Sequence, residues 1–341
     1  MLIEPYEIAL ATPMRTARGT IETRRGFVVR LSGPVGVGEA APLPGWTESV
    51  ADCRSALERC CEDSCDPVST LDRLSAAATP AARHGLELAV VDARARAMDQ
   101  PLYQWLGRTD DHTVPVPANA TIVGGTTVET VTRAEAAVEA GYRAIKLKLG
   151  TGAVEKEIDK VSAVCRAVPD SVSVRGDANG AWSVAEATRV FAALDGRGVS
   201  YIEQPLSADE LNAHRRLRKI GDVDVVLDET IRAVGLAAAV EAGAADGVVL
   251  KPMVVGGPRR AHAIARWAQA AGLTPVVTTT VDAAIARLGA IHLAASLSLT
   301  TACGLATGTR LAADIAPDPA PVSGGTVTPP SDPGHGVTIG Q

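Results

Sequence analysis

The sequence predicts an α/β protein whose larger part is a (β/α) barrel, and three observations predict it. From about residue 114, short β-branched or apolar runs alternate with Ala-rich helical stretches, eight times over. Polar residues close successive runs at intervals of about one β/α unit. Residues 1–110 have a different texture, with strand-like runs and helices that do not alternate, which predicts a separate α+β domain.

In that first domain, "FVVRLSG" and "VGVGEA" read as strands meeting at a Gly/Pro turn, followed by helical stretches near 48–63 and 80–99. The segment before "VPVPANA" is the expected boundary, giving a barrel over 111–308. Its strand candidates are "VPVPANATI", "AIKLKLG", "SVSVRGDANG", "VSYIEQPL", "VDVVLDET", "DGVVLKPM", "TPVVTTT" and "TACGLATG", with helical patterns between them. A doubly wound open sheet is the alternative, but no Gly-rich fingerprint follows the first strand. The Pro- and Gly-rich segment 309–341 is either a disordered tail or, through Ile315, Val322 and Val327, packed back on the first domain.

Composition excludes several function classes. A net charge of −6 argues against a nucleic-acid binder working through a general basic field. No run of eighteen apolar residues predicts a membrane span. The start, "MLIEPYEIALATP", has no basic n-region, so a cytoplasmic location is expected. Cys53, Cys60, Cys61 and Cys65 cluster in "DCRSALERCCEDSC", yet no C-x-x-C pair or neighbouring His gives zinc-ligand spacing. A helix using Cys as a small apolar residue is the better account. The six histidines (84, 112, 214, 262, 292 and 335) are scattered and read as core or surface residues.

Lysine usage is more informative, because only six of the 33 basic residues are lysines. Lys146, Lys148 and Lys251 nevertheless fall in apolar strand-like runs. Ile145, Leu147 and Leu149 alternate with Lys146 and Lys148, so a period of two sends both amines to one face. Arginine cannot practically lose its proton, whereas a desolvated lysine can act as a base. Reading the polar residue at each strand end gives Lys148, Asp177, Glu203, Asp228, Lys251 and a threonine near 279, spaced 23 to 29 residues apart. Singly, Asp177 reads equally well as a helix cap, Glu203 as a partner of an arginine, and Asp228 as a cap beside Glu229. Jointly, three carboxylates on consecutive strands make a hard-oxygen set suited to Mg²⁺, or Mn²⁺ in its place, and the absence of Cys and His disfavours zinc. Lysines on the second and sixth strands then flank the α-carbon of a small-molecule carboxylate bound at the metal. Desolvation and like charge are expected to draw such amines towards neutrality, where they work as bases.

The set "KLK", "DANGAW", "IEQPL", "LDET" and "LKP" resembles the enolase superfamily, specifically its muconate-lactonising subgroup, whose Lys-plus-metal chemistry is a known pattern. "TARGTIETRRGFVVRL" and "GVGEAAPLPGWTES" resemble that family's capping-domain strands and mobile loop, and "AARHGLELAVVDARARAMDQPLYQWLG" the helix leading into the barrel. The resemblance implies a modified TIM barrel with an N-terminal α+β capping domain completed by the C-terminal tail. Within the subgroup, "TTTVDAAIARLGAIHLAAS" and "ATGTRLAADIAPDPAPVSGG" resemble the o-succinylbenzoate synthase family of menaquinone biosynthesis. That resemblance implies Lys148 as the base, Lys251 as stabiliser of the enediolate, and Asp177, Glu203 and Asp228 as Mg²⁺ ligands. It gives Lys146 and Asn179 supporting roles and makes Thr279 or Thr280 a contact for a substrate carboxylate. It makes Arg15 and Arg18, in the expected cap loop, candidates for further substrate contact, and an even-numbered homo-oligomer is a family expectation. Where relatives often show serines and a glutamate after the seventh strand, this chain has Asp282 in the acidic position. The same residues also suit an N-succinylamino acid racemase, a dipeptide epimerase or a muconate cycloisomerase, because specificity lies in loops. A non-catalytic barrel that only binds an acidic metabolite leaves the paired lysines and carboxylates without a purpose.

Overall fold

The computed structural model describes residues 1–16, 19–32, 35–62, 67–109 and 115–339. The N-terminal part is an antiparallel sheet of β1 (Leu2–Thr16), β2 (Gly19–Arg30) and β3 (Val37–Ala40), in that spatial order. The sequence reading finds β2 and β3 by their apolar runs and misses β1. Its signal is a short alternation, with Ile8 and Leu10 buried and Glu7 and Ala9 exposed. Pro5 and Pro13 dilute that pattern, and an edge strand tolerates them because one side of its backbone has no ladder to supply. Register slips between Ala9 and Met14, the stretch that contains Pro13.

Helices Val50–Glu62 and Pro80–Ala97 cover this sheet, close to the predicted 48–63 and 80–99. β3 lies so near the second helix that a Cβ on Gly38 would stand 2.0 Å from the Gly85 carbonyl oxygen. Only glycine allows that approach. Cys53 is buried in the first helix and Cys61 is exposed, and none of the described cysteines forms a disulfide. Cys65 and His112 lie outside the described residues.

After β4 (Val116–Pro117) comes a parallel sheet of seven strands. They are β5 (Ala120–Ile122), β6 (Ala144–Lys148), β7 (Ser173–Asp177), β8 (Val199–Glu203), β9 (Asp224–Leu227), β10 (Gly247–Leu250) and β11 (Thr274–Val277), side by side in chain order. The predicted first barrel strand is thus divided, since β4 pairs instead with β12 (Thr326–Val327) from the C-terminal segment. The predicted eighth strand is reduced to single bridges, Cys303 to Ala118 and Gly304 to Thr278, which join the two edges of the sheet. A Cβ on Gly304 would meet Thr278 Oγ1 at 2.2 Å, so the seam closes only because that residue has no side chain. From inside, Arg175 of β7 donates to the Ala302 carbonyl at 2.7 Å and lies 4.9 Å from the Tyr201 ring centre, bracing the same seam.

Outward-facing residues of the strands pack under the helices. Ile145, Leu147 and Leu149 are almost fully buried there, each worth about 1.5–3 kcal/mol relative to exposure. Helix Ala284–Ser296 is buried over almost its whole length, as a helix enclosed on all sides must be, which accounts for its apolar character all round. The segment after residue 309 is packed rather than free. Leu311 bridges Leu10, Gly334 bridges Pro101, and the buried His335 donates its backbone N–H to Asp92 at 2.9 Å. Among the described residues no helix is long and apolar enough to cross a membrane.

Candidate active site

Strand register builds the site. Parallel pairing sets Lys148 beside Asp177 and Asp177 beside Glu203, so three strand ends finish at one level. Asp228 follows directly on β9 and Lys251 on β10, which extends the row across five adjacent strands. Alternation turns Lys146 and Lys148 to the barrel interior, opposite the apolar residues between them.

The amines and carboxylates meet in one network. Lys146 Nζ donates to both oxygens of Glu203 at 3.0 Å and stands 3.0 Å from Asp177 Oδ2. Lys148 Nζ lies 2.5 Å from Asp177 Oδ2 and 2.9 Å from Asn179 Oδ1. Lys251 Nζ donates to Asp228, and its ammonium sits 3.5 Å above the centre of the Trp46 ring. The side chain of Lys148 is 31% exposed, against 12% for Lys146 and for Lys251, so it is the amine most open to an incoming molecule.

Single-residue alternatives for the carboxylates fall away here. Asp177 accepts from the Asn179 backbone N–H at 3.2 Å without capping the next helix, which Ser183 caps instead. Glu203 is paired with a lysine, not an arginine. Asp228 precedes the short helix Glu229–Ala233 but makes no side-chain cap bond.

Burial and crowding unsettle the three acids. Burial, then the charge of Asp177, push Glu203 up to about 7 even with Lys146 in contact. Asp228 is pushed up to about 6 by burial and by neighbouring Glu229, against the pull of Lys251. Burial would raise Asp177 as well, but the Lys146 and Lys148 ammoniums outweigh it and hold the acid well below the usual carboxylate range. Lys146, expected from the sequence as the like charge beside Lys148, is itself held as an ammonium. Burial does pull it down, yet Asp177 and Glu203 outweigh that and hold it well above its ordinary value. Two carboxylates at 3.0 Å matter more than one neighbouring ammonium.

The threonines turn inward. Thr279 Oγ1 is 2.8 Å from Thr307 Oγ1, and the Thr280 hydroxyl donates to Asp282. Both residues are buried. Between them and Asp282, Val281 has φ +60°, a left-handed conformation that costs a β-branched residue about 1–3 kcal/mol. Asn179 (φ +48°) and Gln204 (φ +39°) are similarly placed just beyond β7 and β8, so such backbone recurs around the mouth. The side chain of Arg15 and the whole of Arg18 lie outside the described residues.

Three further residues belong to this neighbourhood and escape the strand-end rule. Trp46 comes from the N-terminal part, where nothing local signals a contact with Lys251. Buried Gln204 accepts from the Asp228 and Thr230 backbone N–H groups at 3.0 and 3.2 Å, fixing the turn that carries Asp228. Glu229 accepts from Asn179 Nδ2 at 3.2 Å through one oxygen, and its other oxygen is buried without a partner. Adjacency to "IEQ" and "LDE" is the only signal these two offer.

As the side chains stand, no three acidic, His or Cys groups among the described residues converge as ligands on one point. The donor set nevertheless suits a divalent cation. It offers carboxylate oxygens only, on three adjacent strands, and their mutual repulsion is answered in this arrangement by lysine ammoniums.

Comparison with known proteins agrees with this geometry. A family model described as "Enolase C-terminal domain-like" matches residues 129–341, and the N-terminal domain of the mandelate racemase / muconate lactonizing enzyme family matches residues 2–107. The o-succinylbenzoate synthase of Thermosynechococcus vestitus is 30% identical, covering 84% of this chain and 86% of that protein. The L-Ala-D/L-Glu epimerase of Bacillus subtilis is 26% identical, over 98% of this chain and 95% of that one. The crystal structure of muconate lactonizing enzyme from Pseudomonas fluorescens complexed with muconolactone superposes with a TM-score of 0.86 at 27% identity, covering 99% of this chain and 96% of that chain. With both of its parts matched and the charged strand ends in one row, the chain belongs to the enolase superfamily of enzymes, in its muconate-lactonising-type subgroup.

Proposed function

We propose that the chain is a Mg²⁺-dependent carbon–oxygen lyase that removes the proton α to a carboxylate. Within that class we assign it the dehydration of 2-succinyl-6-hydroxy-2,4-cyclohexadiene-1-carboxylate to 2-succinylbenzoate, the o-succinylbenzoate synthase reaction. The observation that carries the reading is the flanking of three adjacent carboxylate strands by Lys148 on one side and Lys251 on the other. Superfamily members generally use Mg²⁺, and Asp177, Glu203 and Asp228 are the residues that would hold it. A bound Mg²⁺ supplies positive charge against the substrate carboxylate, without which an α-proton is too weakly acidic to remove.

The residues then divide the work. Lys148, the most open amine, takes the α-proton in its neutral form, and the C–H electron pair becomes a ring double bond as the C–OH bond breaks. The same Lys148, now an ammonium, returns the proton to the departing hydroxyl, which leaves as water. Lys251, cationic between Asp228 and Trp46, faces the charge that develops on the substrate. Asn179 steadies Lys148 through its side-chain oxygen.

Amines on two sides of one α-carbon also suit 1,1-proton transfer, and the similarity to L-Ala-D/L-Glu epimerase spans nearly the whole chain. An N-succinylamino acid racemase or dipeptide epimerase is therefore the second reading, with muconate cycloisomerase on the same scaffold. The deciding experiment follows the loss of diene absorbance by purified protein with Mg²⁺. Rapid dehydration supports the synthase. No dehydration, together with fast racemisation of an N-succinylamino acid, overturns it in favour of the racemase.

A further inference from the structure

A second set of buried charges lies where the N-terminal sheet meets the barrel. Glu39 of β3 is fully buried, and its carboxylate accepts from the Tyr6 hydroxyl at 2.7 Å and from the backbone N–H groups of Ala283 at 2.9 Å and Ala286 at 2.8 Å. Those N–H groups open helix Ala284–Ser296, whose first turn has no acceptors of its own. Asp314 of the C-terminal segment takes the Ala284 N–H at 2.9 Å. Three N–H groups of this helix start are therefore held by carboxylates from distant parts of the chain.

Arg24 of β2 lies at the same seam of sheet and barrel and is 2% exposed. It donates to the carbonyls of Ala41 at 2.9 Å, Pro42 at 2.7 Å and Val281 at 3.1 Å, and its Nη2 is 3.8 Å from Asp282. Ala41 and Pro42 lead into the stretch that carries Trp46 over Lys251. The Ala41 N–H points to Met253 Sδ at 3.4 Å, two residues after Lys251. Val281, with its left-handed backbone, keeps that conformation between the Arg24 bond to its carbonyl and the Thr279 hydroxyl on its N–H at 3.2 Å.

We propose that Arg24 and Glu39 are positioning residues for substrate selection. Together they clamp the 279–283 loop to the stretch that leads to Trp46, so the N-terminal domain sets how the substrate's distal part is recognised without these two residues touching it. Neither borders Lys148 or the three acids, so the clamp governs fit and not proton removal. This inference rests on the α-proton reading proposed above, and its test separates the two.

Hydrogen exchange is measured on the full chain, in wild type, Glu39→Gln and Arg24→Lys. A glutamine amide cannot accept from both helix N–H groups and the tyrosine as the carboxylate does. A lysine keeps the charge but loses the fork that spans three carbonyls. Both variants should speed amide exchange across 279–287 at least tenfold and leave the peptides of β6, β7 and β8 unchanged. Kinetics on the substrate that wild type turns over should show KM raised at least tenfold, with kcat within threefold. Unchanged protection of 279–287 overturns the clamp. A fall in kcat with KM constant overturns its role in selection, and loosening of β6–β8 as well reduces both residues to general stability. If wild type turns over neither the diene nor an N-succinylamino acid, the function reading fails. The clamp is then judged by the loop's exchange and by the affinity for 2-succinylbenzoate with Mg²⁺, which the variants should weaken at least tenfold and which, left unchanged, contradicts it.

Discussion

Two regions of this molecule bury charge, and they do it in opposite ways. At the barrel mouth, Asp177, Glu203 and Asp228 have as their main partners other titratable groups, the ammoniums of Lys146, Lys148 and Lys251. At the seam, Glu39 is met by two backbone N–H groups and a tyrosine. Glu87 there accepts from the Arg259 N–H at 2.8 Å, at the start of helix Pro258–Ala270, and from Arg83 at 2.8 Å. Backbone donors stay where the fold puts them, so a carboxylate they hold is fixed in position, even where burial pushes it up to about 7 as it does Glu39. Side-chain ammoniums can be displaced by a cation or give up a proton, so carboxylates they hold are available for chemistry. Buried charge alone does not mark an active site; the kind of partner does.

The comparison predicts that mouth variants lose chemistry and seam variants lose fit or stability. The largest effect belongs to Lys148→Ala, which should lower turnover by about 10³-fold or more, near the upper range for a general base, with Mg²⁺ affinity by calorimetry changed less than about threefold. Retained turnover would remove Lys148 from the role of base. Next comes Glu203→Gln. It should weaken Mg²⁺ binding by more than the roughly 10–100-fold that loss of an outer-shell partner costs, while the thermal midpoint stays within a few degrees of wild type. A large loss of stability in that variant would put Glu203 on the structural side of the divide.

A pH scan sharpens the same contrast. Burial lowers His84, His292 and His335 below the ordinary 6.5, His292 to about 3. Their neutral forms are favoured in the fold, while the unfolded chain protonates near 6.5. The stability they contribute is therefore complete above pH 6.5 and is lost as pH falls below it, and the three together outweigh the opposite contribution of Glu39, which burial pushes up to about 7, so at saturating Mg²⁺ the thermal midpoint should drop between pH 7 and 5. Without Mg²⁺ the drop should be shallower, because Glu203 at about 7 and Asp228 at about 6 take up protons in the fold over the same range. A drop that Mg²⁺ abolishes would place the responsible groups at the mouth. The smallest effect is expected from Cys61→Ser on the exposed side of its helix, within about 0.5 kcal/mol of wild-type stability by denaturant titration and insensitive to zinc.

The contrast also explains what the sequence could reveal. Lys148, Asp177, Glu203, Asp228 and Lys251 were legible because chemistry demands particular residue types, and each falls at the end of an apolar run one β/α unit from the last. Glu39 was not, since the helix start it holds is 244 residues away and no local pattern announces it. Trp46 was hidden for the same reason. The edge strand of the N-terminal sheet, β1, was missed because its prolines dilute the alternation that would announce it. The first and eighth barrel strands read as longer than they are, because their neighbours across the seam decide where pairing stops.

The central claim is that the mouth removes an α-proton by Lys148 with a metal held by three acids. The diene carrying deuterium at its α-carbon is turned over in H₂O and loss of that label is followed by mass spectrometry, while α-hydrogen exchange of an N-succinylamino acid is followed in D₂O. Wild type with Mg²⁺ should release the label or take up deuterium, and wild type with EDTA and Lys148→Ala with Mg²⁺ should do neither. Either event at the wild-type rate in Lys148→Ala, or undiminished by EDTA, would contradict the account.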